Sequence, residues 1–275
     1  MDRLQLAKAI AREAGLRTLS RALDEVCRKY VRNKLEKKKI YKKVSRHNLL
    51  NYLGQAKYSD TALNMQDEVG LVHALAWTES GGEVLPVEVT VLKGKGSLQV
   101  TGQLGEVMQE SAKAALTYVR SRYAELGLKE DFYKESDIHI HLPEGALPKD
   151  GPSAGIAIST ALASALSGLP VRGRASMTGE ITLRGRVLAV GGLREKVLAA
   201  MRGGIDTIIL PAENKKDLND LPAKAKKKLK FLMVKNMDDV LFYALKGYKK
   251  QTDKQQFIPE LLDADTQSAR PEELS

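Results

Sequence analysis

The sequence predicts an α/β (α+β) domain preceded by a small helical subdomain, and three observations predict it. Residues 1–56 place their apolar side chains mainly at helical spacing. From Glu68 onward, period-two and short apolar runs bounded by glycines alternate with amphipathic stretches. One charge-free stretch, 154–167, is rich in Ala, Ser and Ile, the composition of a helix buried on most sides. With 275 residues and 43% hydrophobic content, the chain can form one large domain with an appendage and a sizeable core.

Taken in order, Leu4, Ala7, Ala11 and Ala14 mark a first helix that Gly15 closes. Leu16, Leu19, Leu23, Val26, Cys27, Tyr30 and Val31 form the stripe of a second, with Cys27 as a small core residue. Ile40–Val44 alternates like an exposed strand. Ser45 caps a helix through Leu53 that Gly54 ends. Residues 57–67 lack a period and form a linker. Strands are expected at 69–77, 85–92 and 97–101, with Gly81-Gly82 and Gly94-Lys95-Gly96 as the turns between them. A long helix follows at 105–126, then a period-two strand at 137–142 with His139 and His141 on one face. The buried helix at 154–167 precedes strands at 175–182 and 186–190 and a helix at 192–202. Short apolar strands at 207–210 and 230–234 lead to a helix at 238–245. Residues 249–275, rich in Gln, Asp, Glu, Ser and Pro, read as a disordered tail.

The net charge of +10 is concentrated in two patches. Residues 28–46 hold ten Lys/Arg against Glu36 alone, and 224–230 hold five lysines. Such patches either form solvated helix faces or hold nucleic acid. A single cysteine excludes a disulfide framework and fits a reducing, cytoplasmic compartment. No run resembles a signal peptide or reaches the ~18 apolar residues of a membrane span, so no membrane partner is expected.

The chemistry concentrates at Pro148-Lys149-Asp150-Gly151-Pro152-Ser153-Ala154-Gly155, where a turn enters a helix. The first-turn N–H groups and the helix dipole can hold an oxyanion beside the Ser153 hydroxyl. Pro152 has no N–H, which leaves Ser153 and an upstream neighbour as donors. Ser153 can equally be a plain N-cap, or part of a phosphate-binding turn. In the 192–202 helix, Leu193, Val197, Ala200 and Met201 form one stripe, and Lys196 falls inside it. A lysine there either snorkels or is desolvated. A desolvated amine loses affinity for its proton and can serve as general base to a serine hydroxyl. His139 and His141 have a spacing that can bind metal, but no third ligand completes a site, so no metal is expected.

At these residues the sequence resembles the Lon protease family. Pro148–Gly155 is similar to its nucleophile motif, Met177–Gly185 to the segment that follows, and Val190–Lys196 to the segment bearing the catalytic lysine. Gly102–Ser111 and His139–Gly145 match as well, so the likeness runs across roughly 69–246. It implies a serine endopeptidase with Ser153 as nucleophile and Lys196 as base. Thr178 would support the amine, Asp150 would pair with Lys196 in an idle state, and Trp77 and Glu79 would lie near the substrate groove. Residues 1–56 resemble the C-terminal part of the helical subdomain of the family's ATPase module, with Arg17 a remnant of its nucleotide sensor.

The resemblance therefore implies a Lon-type proteolytic domain at 68–248 in a fragment of an ATP-dependent protease that degrades misfolded and regulatory proteins. No Gly-x-x-x-x-Gly-Lys-Ser/Thr loop occurs. ATP and magnesium thus belong to the full-length parent, this piece needs no cofactor for peptide hydrolysis, and it is not expected to hydrolyse ATP. Unfolded polypeptides as substrates, a hexameric ring and DNA as a further partner are implied likewise. The competing readings are a small-molecule kinase with a Gly/Ser phosphate turn and a basic DNA-binding module.

Overall fold

A computed structural model describes residues 17–41, 43–54, 63–78, 81–143 and 149–250. The expected first helix, most of the linker, Glu79, Pro148 and residues 251–275 of the tail lie outside the described residues. The chain divides into two compact units, one comprising residues up to Leu63 with Thr78–Gly81, the other Asn64–Trp77 and Gly82 onward.

In the first unit, helix α1 (Arg17–Leu35) packs against α2 (Arg46–Leu53). Val26 and Tyr52 are buried between them, and Lys29 Nζ donates to the Tyr52 carbonyl at 2.6 Å. Asn48 Oδ1 accepts from the Ser45 N–H at 2.7 Å, and Gly54 closes α2 at φ 75°. Two expectations fail here. Cys27 is exposed, as are Leu23 and Val31, because one short partner helix covers only a narrow strip of α1. The described residues of 40–44 form no strand. Their backbone is held by a side chain instead, the Asn48 amide donating to the Lys43 carbonyl at 2.9 Å. The basic run is a solvated face, with Glu25 paired to Lys29, and Glu36 to Arg32 and Lys38.

The second unit is built on β1 (Leu71–Thr78), β2 (Gly81–Lys93), β3 (Leu98–Thr101), β4 (Ser136–His141), β5 (Ala175–Met177), β8 (Thr207–Pro211) and β9 (Lys230–Val234), in the order β3-β4-β2-β1-β5-β8-β9. Strand β1 runs parallel to β5, β5 to β8 and β8 to β9, whereas β2 and β4 are antiparallel. Alternation along the strands makes two cores. Val72, Ile209, Leu232 and Val234 face α3 (Glu106–Ser121), α4 (Gly155–Ser167) and α7 (Met237–Ala244). Leu75, Ile208, Phe231 and Met233 face α5 (Leu193–Gly203) and α6 (Ala223–Lys228). Residues 155–164 of α4 are buried on every side, as their lack of charge requires.

Several local expectations change. Gly94–Gly96 is not a hairpin turn, because β3 pairs parallel with β4 and not with β2. That loop is pinned by Asp137, whose Oδ1 accepts from Lys95 N at 2.9 Å and Ser97 N at 2.8 Å. Helix α3 ends at Ser121, and Arg122 clasps both oxygens of Asp238 at 2.8 Å. The strand expected at 175–182 breaks at Thr178-Gly179 into β5 and β6 (Glu180–Ile181), which pairs with β7 (Val187–Leu188). Asp67, assigned to the linker, is docked by the Gly173 N–H at 2.8 Å and by Lys246. Lys250, assigned to the tail, pairs with buried Asp239 at 2.6 Å.

Candidate active site

Ser153 sits in a short 3-10 turn, Pro152–Ala154, that leads into α4. Gly151 enters it at φ 129°, a conformation that a side chain would strain. The Ser153 N–H lies in the first turn, where intrahelical carbonyl partners are lacking. The serine's own carbonyl is held twice, by Gly179 N–H at 2.9 Å and by the Thr178 hydroxyl at 3.2 Å. The break between β5 and β6 thus presents both groups to the Ser153 turn.

Lys196 is 2% exposed on α5, within the stripe formed by Leu193, Val197 and Ala200. Its Nζ donates to Thr178 Oγ1 at 3.1 Å. One buried hydroxyl therefore links the amine to the Ser153 backbone. No direct hydrogen bond joins Lys196 Nζ to Ser153 Oγ among the described residues. Burial pushes the Lys196 amine down from 10.5 to about 8. At about neutral pH such a group carries several hundred times more free base than a solvated lysine.

Asp150 is not brought to Lys196. Its Oδ1 accepts from Met108 N at 3.1 Å and Gly151 N at 2.9 Å, capping the start of α3. The aspartate thereby ties the Ser153 turn to a helix terminus, where a carboxylate is favoured, and occupies an N–H upstream of Pro152. Trp77 is 59% exposed at the end of β1, its Cβ against Gly192 at the start of α5. Arg17 is exposed at the first turn of α1. His139 Nε2 and His141 Nδ1 both meet Thr101 Oγ1, at 2.8 and 2.7 Å. Among the described residues no three His, Cys, Asp or Glu are grouped to hold a metal, and none of their helices is long and apolar enough to cross a membrane.

Two residues that sequence reasoning passed over help shape the site. Gly82, read as part of a turn, is the second residue of β2 and lies so close to α5 that a Cβ there would overlap the Glu195 carbonyl. Asn214, in the 3-10 segment Ala212–Asp220, reaches back to Val190 ahead of α5. No periodicity marks either, since both act through backbone contacts distant in sequence.

Residues 43–247 match the family model described as the Lon protease (S16) C-terminal proteolytic domain. The chain belongs to the Lon protease family. Residues 4–44 match the Lon protease AAA+ ATPase lid domain. The chain is 53% identical over 237 residues to the Lon protease of Syntrophomonas wolfei, covering 86% of this chain and 29% of that protein. Its identity is 54% over 241 residues to the Lon protease of Heliobacterium modesticaldum (88% and 30%). With Lon protease 2 of Desulfotalea psychrophila it is 54% over 251 residues (90% and 32%). The chain thus spans about a third of the length of these curated relatives. The match leaves the small-molecule kinase reading without support.

Proposed function

We propose that this chain is the proteolytic part of an ATP-dependent Lon protease, a serine endopeptidase in which Ser153 and Lys196 form the catalytic dyad. One observation carries the reading: the buried Lys196 amine shares the Thr178 hydroxyl with the Ser153 carbonyl. In this reaction Lys196 in its neutral form takes the proton as Ser153 Oγ bonds to the scissile carbonyl carbon. The Ser153 N–H stabilises the oxyanion. The ammonium then returns the proton to the leaving amine as the C–N bond breaks, and water hydrolyses the ester by the same route. Thr178 orients the amine, and Asp150 fixes the turn through its two backbone bonds. Trp77 would border the groove for an unfolded polypeptide; Glu79, its expected companion, lies outside the described residues.

ATP and magnesium would belong to a full-length parent, where Arg17 would read the nucleotide. The donor set in this chain does not fit them, because it has no Gly-x-x-x-x-Gly-Lys-Ser/Thr loop, so no step here passes through either. Assembly into a hexameric ring, a cytoplasmic setting, and disposal of misfolded and regulatory proteins belong to the same proposal. So does DNA contact through the exposed lysines of α6, Lys224, Lys227 and Lys228, which added salt should weaken steeply.

The test is a peptide boronate with mass mapping. It should attach at Ser153, and Ser153→Ala and Lys196→Ala should each abolish cleavage of an unstructured peptide. Cleavage retained by either variant would overturn the dyad.

A further inference from the structure

Helix α5 hangs from an unusual lead. After β7 the chain runs through Ala189 and Val190 to Gly191 and Gly192, and only then does Lys196 N close the first helical bond, to the Gly192 carbonyl at 3.1 Å. Two successive glycines have no side chains with which to hold a course, and a Cβ on Gly191 would meet nothing within 4 Å. Val190 is the residue directly before them.

We infer that Asn214 is a positioning residue for Lys196, gripping Val190 and so fixing where the lysine helix begins. This rests on the dyad reading above. Asn214 is 2% exposed. Its Oδ1 accepts from Val190 N at 3.1 Å, and its Nδ2 donates to the Val190 carbonyl at 2.9 Å. One planar amide thus bonds both backbone groups of a residue that lies in no strand, as a neighbouring strand would. An amide with donor and acceptor on adjacent atoms can do this. An aspartate would lose the donor, and alanine would lose both bonds. The amide is itself oriented, since Nδ2 also donates to Asp217 Oδ2 at 2.6 Å. The 3-10 segment bearing Asn214 follows β8 directly, and β8 also accepts the Thr178 N–H at Ile209. The same strand therefore orders both the lysine's hydroxyl partner and the start of the lysine's helix.

Without the grip, the glycine pair lets α5 shift, the amine leaves Thr178, and water reaches it. The experiment measures kcat, KM and the acid limb of the pH profile for an unstructured peptide, using the intact chain, for the native protein, Asn214→Ala and Asp217→Ala. The Asn214→Ala chain should lose ~10- to 100-fold in kcat with KM changed less than about threefold, because the loss is one of catalytic alignment. Its acid limb should move up toward that of a solvated lysine. Asp217→Ala, at a half-buried position, should move the limb the same way by less, and it supplies the readout if Asn214→Ala does not fold. A melting temperature that drops while kcat and the limb stay put would overturn the inference, as would a kcat loss with an unmoved limb. A native protein without an acid limb, or a Lys196→Ala chain that still cleaves, would instead overturn the dyad.

Discussion

Replacing Thr178 by valine tests the connection at the centre of the site. The substitution keeps the shape and removes one hydroxyl, which lies 3.1 Å from Lys196 Nζ and 3.2 Å from the Ser153 carbonyl. That carbonyl keeps the Gly179 N–H at 2.9 Å, so the uncompensated loss falls on the amine. An amine that loses its orienting partner is misplaced as a base, which should cost ~10- to 100-fold in kcat/KM. The direction of the pH effect also follows. A hydroxyl that accepts from the amine favours the ammonium form, so its removal lowers Lys196 below its native value of about 8. The assay is kcat/KM for a fluorogenic unstructured peptide from about pH 6 to about pH 10, where the acid limb reports the base in the free enzyme. The native limb should bend near 8, and Thr178→Val should be slower with its limb displaced to lower pH. Full activity with an unmoved limb would refute the reasoning, because the hydroxyl would then not serve the amine.

Three further outcomes follow from other parts of the fold. Gly82→Ala places a Cβ onto the Glu195 carbonyl, so α5 must move; peptide cleavage should fall ~10- to 100-fold, as for ångström-scale misplacement of a catalytic group, measured beside a circular-dichroism melt that remains cooperative. Burial holds His73 below its ordinary 6.5, so the unfolded chain binds a proton that the folded chain refuses. The resulting stability is complete above 6.5 and lost as pH falls, by at most about 1.4 kcal/mol per pH unit for one proton. Urea unfolding of His73→Phe should show a shallower decline between about pH 7 and about pH 5 than that of the native protein. Lys250→Ala strips the buried Asp239 carboxylate of its cation and should cost ~1–3 kcal/mol in urea unfolding.

Much of the site was legible because it is written in local chemistry. Ser153 stands at a Gly-Pro turn entering a helix, and Lys196 interrupts an apolar stripe at i+3; both patterns survive in any fold that buries that stripe. The same logic placed α4 inside the molecule, since thirteen residues without a charge have no face to give to water. Legibility failed where a short pattern needed a partner. Ile40–Val44 alternates but has no strand to pair with, and Cys27 lies on an apolar stripe that α2 is too short to cover. Asp150 failed for a different reason. The family resemblance implied the lysine, but its carboxylate accepts from the Met108 N–H at the start of α3, forty-odd residues away, and from adjacent Gly151.

The sequence by itself determined most of the helices and strands of the larger unit, the family and the two residues proposed as the dyad, because periodicity, turn residues and ordered motifs act over short range. Only the tertiary structure decided that Thr178 bridges Lys196 to Ser153, that Gly82 leaves room for the lysine helix, and that Asn214 grips Val190. These contacts join segments 18 to more than 100 residues apart. They arise because a parallel sheet brings the ends of β5 and β8 side by side, an arrangement set by burying both sheet faces and by no local preference of the residues involved.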